Sequence, residues 1–406
     1  MAERIILHCD GNSFFASVES VLRPELKQVP MAVTGNPENR HGIVLAKNEL
    51  AKKYGIRTAE TIWSAKRKCP DLVCVPPHHE VYHQYYEKLN QIYLDYTDLV
   101  EPFSIDESFL DVTGSIHLFQ MTPKELADDI RRRVREELGL TISVGVSFCK
   151  VFAKLGSDYK KPDATTVIFR EDVPAIVYPL PVSDLLFVGK KSVETLNRYS
   201  IHTCEDVSRF DREFLVHILG KQGDQLYTYI HGLDQDPVHD FYEKREVKSV
   251  GNSITFKHDL VGEAEIRAGI NELSDSVASR LRQKELKAYT IQVALKDSDF
   301  KTVQRQRKLK RPTYLQKDIS RISMELVRET WDLQRPVRLL SVTGTDLVSQ
   351  DDPQPEQMSL FDAAPESQEK KEERQETLES TMDSIRERFG KDKIGFAWTS
   401  EEKARK

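Results

Sequence analysis

Three carboxylates stand at the ends of apolar runs in the first part of the chain. Asp10 closes Ile5-Ile6-Leu7-His8-Cys9, and Asp106 and Glu107 lie side by side within Ser104-Ile105-Asp106-Glu107-Ser108-Phe109-Leu110. Carboxylate oxygens are hard donors suited to hard divalent cations. Brought to one point, these acids could hold a pair of Mg²⁺ ions roughly 3.5–4 Å apart, an arrangement that stabilises both oxygens of an in-line displacement. Successive side chains of a strand point to opposite faces. Asp106 and Glu107 can therefore serve one site only if the chain turns there. The competing reading is a polar hairpin turn with no ligand.

The elements that must position these acids follow from periodicity and turn residues. Residues 1–12 read as a strand, followed by a helical stretch Ser13–Leu22 and a turn at Pro24. Val29–Thr34 and Gly42–Ala46 read as a strand pair, and Asn48–Tyr54 and Ile62–Lys68 as helices. A long helix near Val81–Tyr96 leads to the acidic hairpin, a helix at Pro123–Leu138, the strand Thr141–Ser147 and a helix at Lys150–Asp158. Strand, helix, two strands, helix, strand is the split βαβ, ferredoxin-like order, here with an insertion after the first strand. Pro179 to about Gly232 reads as all-helical, and Asp234–Glu243 as a polar linker. Lys248 to Leu347 alternates strands with two long helices, which predicts a separate α/β domain. Residues 349–379 are acidic, rich in Gln and Glu and poor in aromatics, a composition that predicts disorder. Thr381–Phe389 is amphipathic, with Met382, Ile385 and Phe389 on one face and Gly390 as a cap.

A chain of 406 residues, 39% hydrophobic and 31% charged, predicts a globular protein of several domains. No apolar stretch approaches the roughly 20 residues that span a bilayer, so no membrane partner is expected. Met1-Ala2-Glu3-Arg4 runs straight into a strand, which reads as no signal peptide and a cytoplasmic location. Cys9, Cys69, Cys74, Cys149 and Cys204 are odd in number and scattered, the pattern of reduced thiols rather than a zinc site. The net charge of −6 conceals segregation: Asp351 to Glu379 holds ten acids against three bases, while Lys296 to Lys317 holds eight bases against two acids.

Three motifs together resemble the Y-family translesion DNA polymerases. They are Cys9-Asp10-Gly11-Asn12-Ser13-Phe14-Phe15-Ala16-Ser17-Val18-Glu19, then Ser104–Leu110, then Val144-Gly145-Val146-Ser147 with Phe152-Ala153-Lys154. The DinB/UmuC group is the neighbourhood, with the UvrX-like branch of Gram-positive bacteria as the narrower expectation. The resemblance covers roughly residues 5–345. It implies an α+β multidomain fold: a ferredoxin-like palm (1–12 and 78–167), a fingers insertion (13–77), a helical thumb (168–233), a linker (234–244), an α/β little finger (245–347) and a flexible acidic tail (348–406).

The resemblance also implies template-directed DNA synthesis past damaged bases, by attack of a primer 3′-hydroxyl on a nucleotide α-phosphate. Asp10, Asp106 and Glu107 would then be the catalytic acids, binding two Mg²⁺ ions with the Gly11 carbonyl as a further ligand. Phe15 would be the steric gate that fills the space of a ribose 2′-hydroxyl. Nucleotide contacts would come from Ser13, Phe14 and Phe15, from Lys52, and from Lys161 in Lys-Pro-Asp. Ile43 and Leu45 stand where relatives often carry small residues over the templating base, and are expected to narrow the lesion pocket. Asn12 replaces the second acid of the common Asp-x-Asp. Ala46 and Glu49 replace a hydroxyl-bearing pair that contacts the triphosphate in many relatives, so Glu49 is expected to point away or to pair with a lysine.

Leu186-Phe187-Val188-Gly189-Lys190-Lys191 resembles a helix-hairpin-helix whose Gly189, Lys190 and Lys191 would hold a DNA phosphate, with Phe187 in place of the usual first glycine. Lys301, Arg305, Arg307, Lys308, Lys310 and Arg311 would contact duplex phosphates without reading sequence. Gln357-Met358-Ser359-Leu360-Phe361 resembles the pentapeptide that binds the bacterial sliding clamp, on a tail acting as a tether. The implied partners are primer–template DNA, deoxynucleoside triphosphates, the sliding clamp and an accessory mutagenesis subunit of the kind some relatives require. Two other readings stand beside this one. A catalytically silent scaffold, recruited by the clamp to stalled forks, would have no need of the three intact acids. A nucleotide cyclase built on a similar palm would have no need of a DNA grip.

Overall fold

The computed structural model describes residues 3–36, 42–243, 246–352, 366–390 and 393–396. They belong to two compact units, residues 1–244 and 245–406.

The described strands of the first unit are β1 (Ile6–Gly11), β2 (Met31–Thr34), β3 (Val44–Lys47), β4 (Val73–Val75), β5 (Val100–Pro102), β6 (Glu107–Asp111), β7 (Ile142–Ser147) and β8 (Thr165–Ile168). Five of them form one sheet in the order β5-β6-β1-β7-β8. The predicted split βαβ order is present: β1, the helix His79–Leu94, β5 and β6, the helix Pro123–Leu138, then β7. The helix Lys150–Tyr159 then leads to β8, a fifth strand parallel to β7. Every residue of β1 is buried, as a central strand covered on both faces requires.

The helix Pro123–Leu138 starts and stops where the sequence predicts, for local reasons. Thr122 and Glu125 form a capping box, Pro123 occupies the first turn, and Gly139 ends the helix at φ +67°. Gly145 has a longer-range role. A Cβ there would lie 1.9 Å from the Ala153 carbonyl oxygen, so only glycine lets the helix Lys150–Tyr159 rest on β7.

The insertion after β1 holds the helix Phe14–Leu22, a small sheet in the order β3-β2-β4, and the helices Glu49–Lys53 and Ile62–Lys68. After β8 come short helices, among them Lys190–Arg198, Arg212–Leu219 and Lys221–Ile230, packed around Leu196, Ile201, Leu215, Leu226 and Ile230. The polar segment 234–243 is pinned to the first unit rather than free. Arg4 donates to the Asp236 carbonyl (2.9 Å), and the His239 amide donates to Glu101 (3.1 Å). The Phe241 amide donates to the Asp98 carbonyl (3.2 Å), and Val238 is buried with Ile6, Phe109 and Ala153. Composition registers the polarity of this stretch but not that its few apolar residues find the sheet.

The second unit holds β9 (Ser249–Leu260), β10 (Leu286–Lys296), β11 (Thr302–Thr313) and β12 (Val337–Ser349), an antiparallel sheet in the order β11-β10-β12-β9. The helices Glu263–Gln283 and Gln316–Thr330 pack on it through Ile266, Ile270, Leu273, Val277, Ile319 and Ile322.

The flexible tail needs correction in its second half. Glu366–Phe389 is one helix, although 349–379 reads as disordered by composition. Arg282 donates to Glu379 and to Asp383, the latter at 2.7 Å, and Arg386 makes a two-pronged pair with Asp275 (2.8 and 3.0 Å). These charges are partners in ion pairs spanning about a hundred residues of sequence, which no local window can see. Gly390, at φ +97°, donates to the Arg386 carbonyl and ends the helix. Met382 is buried, but Phe389 is exposed. The five cysteines are free thiols. Among the described residues no helix is long and apolar enough to cross a membrane.

Candidate active site

β1 and β6 pair antiparallel with Asp10 directly opposite Glu107, so both side chains share one face. The turn required by adjacent acids is present. The Phe103 and Ser104 amides both donate to the Glu107 carbonyl (2.8 and 3.1 Å), which bends the chain just before β6 begins. Asp106 sits in that bend, its carboxylate accepting from the Ser104 hydroxyl at 2.8 Å, and its carbonyl accepts from the Gly11 amide at 2.9 Å. A Cβ on Gly11 would meet the Asp106 Cβ at 3.2 Å, so the glycine keeps the two turns close.

Two lysines enter this cluster. Asp10 Oδ2 accepts from Lys154 (2.8 Å) and Lys161 (2.6 Å); Lys154 also reaches Glu107 (3.0 Å), and Lys161 reaches Asp158 (2.7 Å). Lys154 rides on the helix that Gly145 admits, and the motif containing it could have flagged it as a site residue. Lys161, predicted to bind phosphate, rests on Asp10. Burial alone would raise the Asp10 carboxyl, but the two ammoniums outweigh it and hold it below the usual value. Burial, reinforced by the charge on Asp10, lifts Glu107 to about 7, and burial also raises Asp106.

His8, unremarked in the sequence, lies two residues before Asp10 on the same face of β1. It is fully buried, with Nδ1 2.9 Å from the Ser157 hydroxyl and Nε2 3.8 Å from Glu107. Burial and the charge of Lys154 hold it well below the usual histidine value, hence neutral. The alternation of β1 is the signal that could have found it.

The donor set fits a hard divalent cation: every candidate ligand is an oxygen, and the Asp106 and Glu107 carboxyls stay raised although Lys161 and Lys154 lie near them. As they stand, no three metal-binding side chains converge among the described residues. A cation would take the place of the ammoniums on Asp10.

Beside Asp106 opens a cavity of about 220 Å³, with Phe15, Leu45, Ala46, Lys47, Thr58 and Ile105 on its wall. Phe14 and Phe15 both border the cavity; Phe14 is buried, and Phe15, half-buried, stacks on Tyr82 with centroids 4.1 Å apart. Glu19 fixes that backing: its buried carboxylate accepts from Tyr82 (2.6 Å) and Arg23 (2.8 Å) and lies 2.7 Å from His78 Nδ1. Ser13 precedes the helix Phe14–Leu22 at φ +52°, and the first-turn amides of that helix have no helical acceptor. Leu45 lines the cavity; Ile43, bridged to Thr61, does not. Lys52 is paired with Glu49 at 2.5 Å, as the acid requires, and Lys47 takes its place on the cavity wall.

Phe187 adopts φ +66°, a left-handed conformation that costs a residue with a side chain about 1–2 kcal/mol. Gly189 caps the helix Lys190–Arg198, and Lys190 and Lys191 are exposed at its start. On β11 the predicted basic set divides. Arg307 pairs with Glu325 (2.6 Å) and Glu329 (2.5 Å) on the helix Gln316–Thr330. Lys301, Arg305, Lys308, Lys310 and Arg311 are exposed. Gln357, Met358, Ser359, Leu360 and Phe361 lie outside the described residues.

Comparison with known proteins defines the class. Residues 9–158 match the impB/mucB/samB family model, and residues 247–360 match that family's C-terminal domain. A DNA polymerase IV of Acetivibrio thermocellus is 45% identical over 96% of this chain and 95% of its own. DNA polymerase IV 1 of Bacillus subtilis is 36% identical over 95% and 91%. A solved Y-family DNA polymerase chimera matches the fold with a TM-score of 0.77 at 24% identity, over 85% of this chain and 99% of its own. The chain belongs to the impB/mucB/samB family, the Y-family DNA polymerases, and is of the DinB type.

Proposed function

We propose that this chain carries out translesion DNA synthesis through the site at Asp10, Asp106 and Glu107. Family membership makes it a DNA-directed DNA polymerase, dependent on a divalent metal and acting on template DNA and nucleotides. The observation that carries the residue assignment is the pairing of Asp10 with Glu107 across β1 and β6, with Asp106 in the adjoining bend at the cavity mouth. In this reading the three acids and the Gly11 carbonyl would hold a pair of Mg²⁺ ions, whose charge would lower the pKa of the primer 3′-hydroxyl and offset that of the triphosphate and departing pyrophosphate.

The other roles belong to the protein's own side chains. Phe15, braced by Tyr82, blocks a ribose 2′-hydroxyl. The amides at Ser13 and Phe14 donate to phosphate oxygens at a helix N-terminus. Lys161 exchanges Asp10 for phosphate when its charge there is replaced, and Leu45 narrows the space over the templating base. The palm is residues 1–12 and 78–167, the fingers 13–77, the thumb 168–233 and the little finger 245–347. The hairpin at Gly189-Lys190-Lys191 and the exposed lysines of β11 grip the duplex backbone. Gln357–Phe361 binds the sliding clamp, the site of action is cytoplasmic, and an accessory mutagenesis subunit is a further partner.

Primer extension on undamaged and abasic templates, with Mg²⁺ and four nucleotides, tests the reading against Asp106→Ala. Extension by the wild type alone is expected. If neither protein extends, with or without the clamp, the silent scaffold becomes the better account; equal extension by both removes Asp106 from the chemistry.

A further inference from the structure

β3 places Leu45 and Lys47 two residues apart, hence on one face of the strand. Both line the 220 Å³ cavity that also contains Phe15, Ala46, Thr58 and Asp106. Among the described residues Lys47 is the one cation on that wall. Its neighbours explain why it is available. Lys154 and Lys161 are held by Asp10, and Lys52 is held by Glu49. The acids nearest Lys47, Glu49 and Glu60, pair with Lys52 and Lys68. Lys47 itself donates to a neutral group, the Thr58 hydroxyl, at 3.0 Å. Burial, followed by the charge of Lys52, lowers its pKa, so an anion beside it would relieve an existing penalty.

Ala46, the adjoining residue, has no hydroxyl to offer a triphosphate, and the cavity wall otherwise carries the negative Asp106. A nucleotide with its sugar on Phe15 and its reacting phosphate near Asp106 has its polyanionic tail in this same space. We infer that Lys47 binds the phosphates of the incoming nucleotide, in the role that sequence resemblance gives to Lys52. This assignment rests on the polymerase reading and goes beyond it by naming a binding residue outside the family's motif positions.

The test is single-nucleotide insertion by the full chain, with inorganic pyrophosphate as a competitor, for wild type, Lys47→Gln and Lys47→Arg. Thermal midpoints are compared to establish that each variant folds. Loss of a charge-assisted hydrogen bond is expected to raise the nucleotide KM of Lys47→Gln roughly 10- to 100-fold, with kcat changed much less. The pyrophosphate concentration needed for inhibition should rise in parallel, because pyrophosphate offers phosphates without base or sugar, and Lys47→Arg should recover most of both losses. An unchanged KM overturns the inference while leaving the polymerase reading intact. So does a raised KM with unaltered pyrophosphate inhibition, which would assign Lys47 to the base or sugar. If the Lys47→Gln protein does not fold, Lys47→Met takes its place: a raised nucleotide KM with weakened pyrophosphate inhibition supports the charge contact, and wild-type values of both overturn it. No insertion by the wild type overturns the polymerase reading and this inference together.

Discussion

The Phe15 ring lies flat on Tyr82, with centroids 4.1 Å apart and planes 15° from parallel, and Tyr82 is in turn tied by its hydroxyl to the buried Glu19. A side chain that must exclude a single hydroxyl group needs such backing, because a ring free to rotate away would exclude nothing. Phe15→Ala should therefore raise the kcat/KM for ribonucleotides relative to deoxyribonucleotides by about tenfold or more, the scale of about 1.4 kcal/mol or above. Tyr82→Ala should give a smaller change in the same direction. Insertion kinetics with paired nucleotides measure both, and unchanged discrimination in Phe15→Ala would remove the gate assignment.

Glu19 also makes stability depend on pH. Burial opposes its charge, but the Tyr82, His78 and Arg23 hydrogen bonds prevail and hold its carboxyl below the usual value. A folded pKa below the unfolded one means that the stabilisation is complete above about pH 4.3, the unfolded value, and is lost as pH falls through the folded value. Glu19→Gln should cost about 1–3 kcal/mol at pH 7 and should lose less stability than the wild type on acidification. Urea unfolding at neutral and acid pH measures the difference; parallel losses in the two proteins would refute it.

Lys154 supplies positive charge to Asp10 and Glu107. Lys154→Met leaves Asp10 with Lys161 alone, so its thermal midpoint without divalent metal should fall. Adding Mg²⁺ should recover more stability in this variant than in the wild type, since the ion takes the place of the lost ammonium. Thermal melts with EDTA and with Mg²⁺ decide it, and equal metal responses would argue that the acids do not form the metal site.

The basic strand β11 carries both exposed cations and an internally paired one. Replacing Lys308 and Lys310 together with Ala should weaken primer–template binding and reduce the salt slope by about 2. Arg307→Ala should leave the slope nearly unchanged while destabilising the second unit, because its partners Glu325 and Glu329 lie on the helix behind the strand. Binding isotherms across a salt series, with unfolding curves alongside, distinguish the two.

Much of this molecule is legible locally. The helix Pro123–Leu138 carries its own start and stop in Thr122, Glu125 and Gly139. The acids announce a turn because neighbours on a strand cannot share a face. Phe14 is the more deeply buried of the two adjacent phenylalanines, as neighbouring positions on a helix allow. What escaped notice depends on pairing across long separations. Glu379 reads as part of an acidic, disordered stretch until Arg282 closes on it, and Glu325 and Glu329, the partners of Arg307, come from a different element.

The sequence by itself determined the family and the order of elements, and it singled out the three acids, because motif order, periodicity and capping are written in neighbouring residues. Only the tertiary structure decided which cation faces which anion. Lys154 and Lys161 converge on Asp10, Lys52 is taken by Glu49, and Lys47 is left facing the cavity. A charge is conspicuous in a sequence, but its partner is set by how sheets and helices pack, and that partner determines whether the charge stabilises the fold or remains available to a substrate.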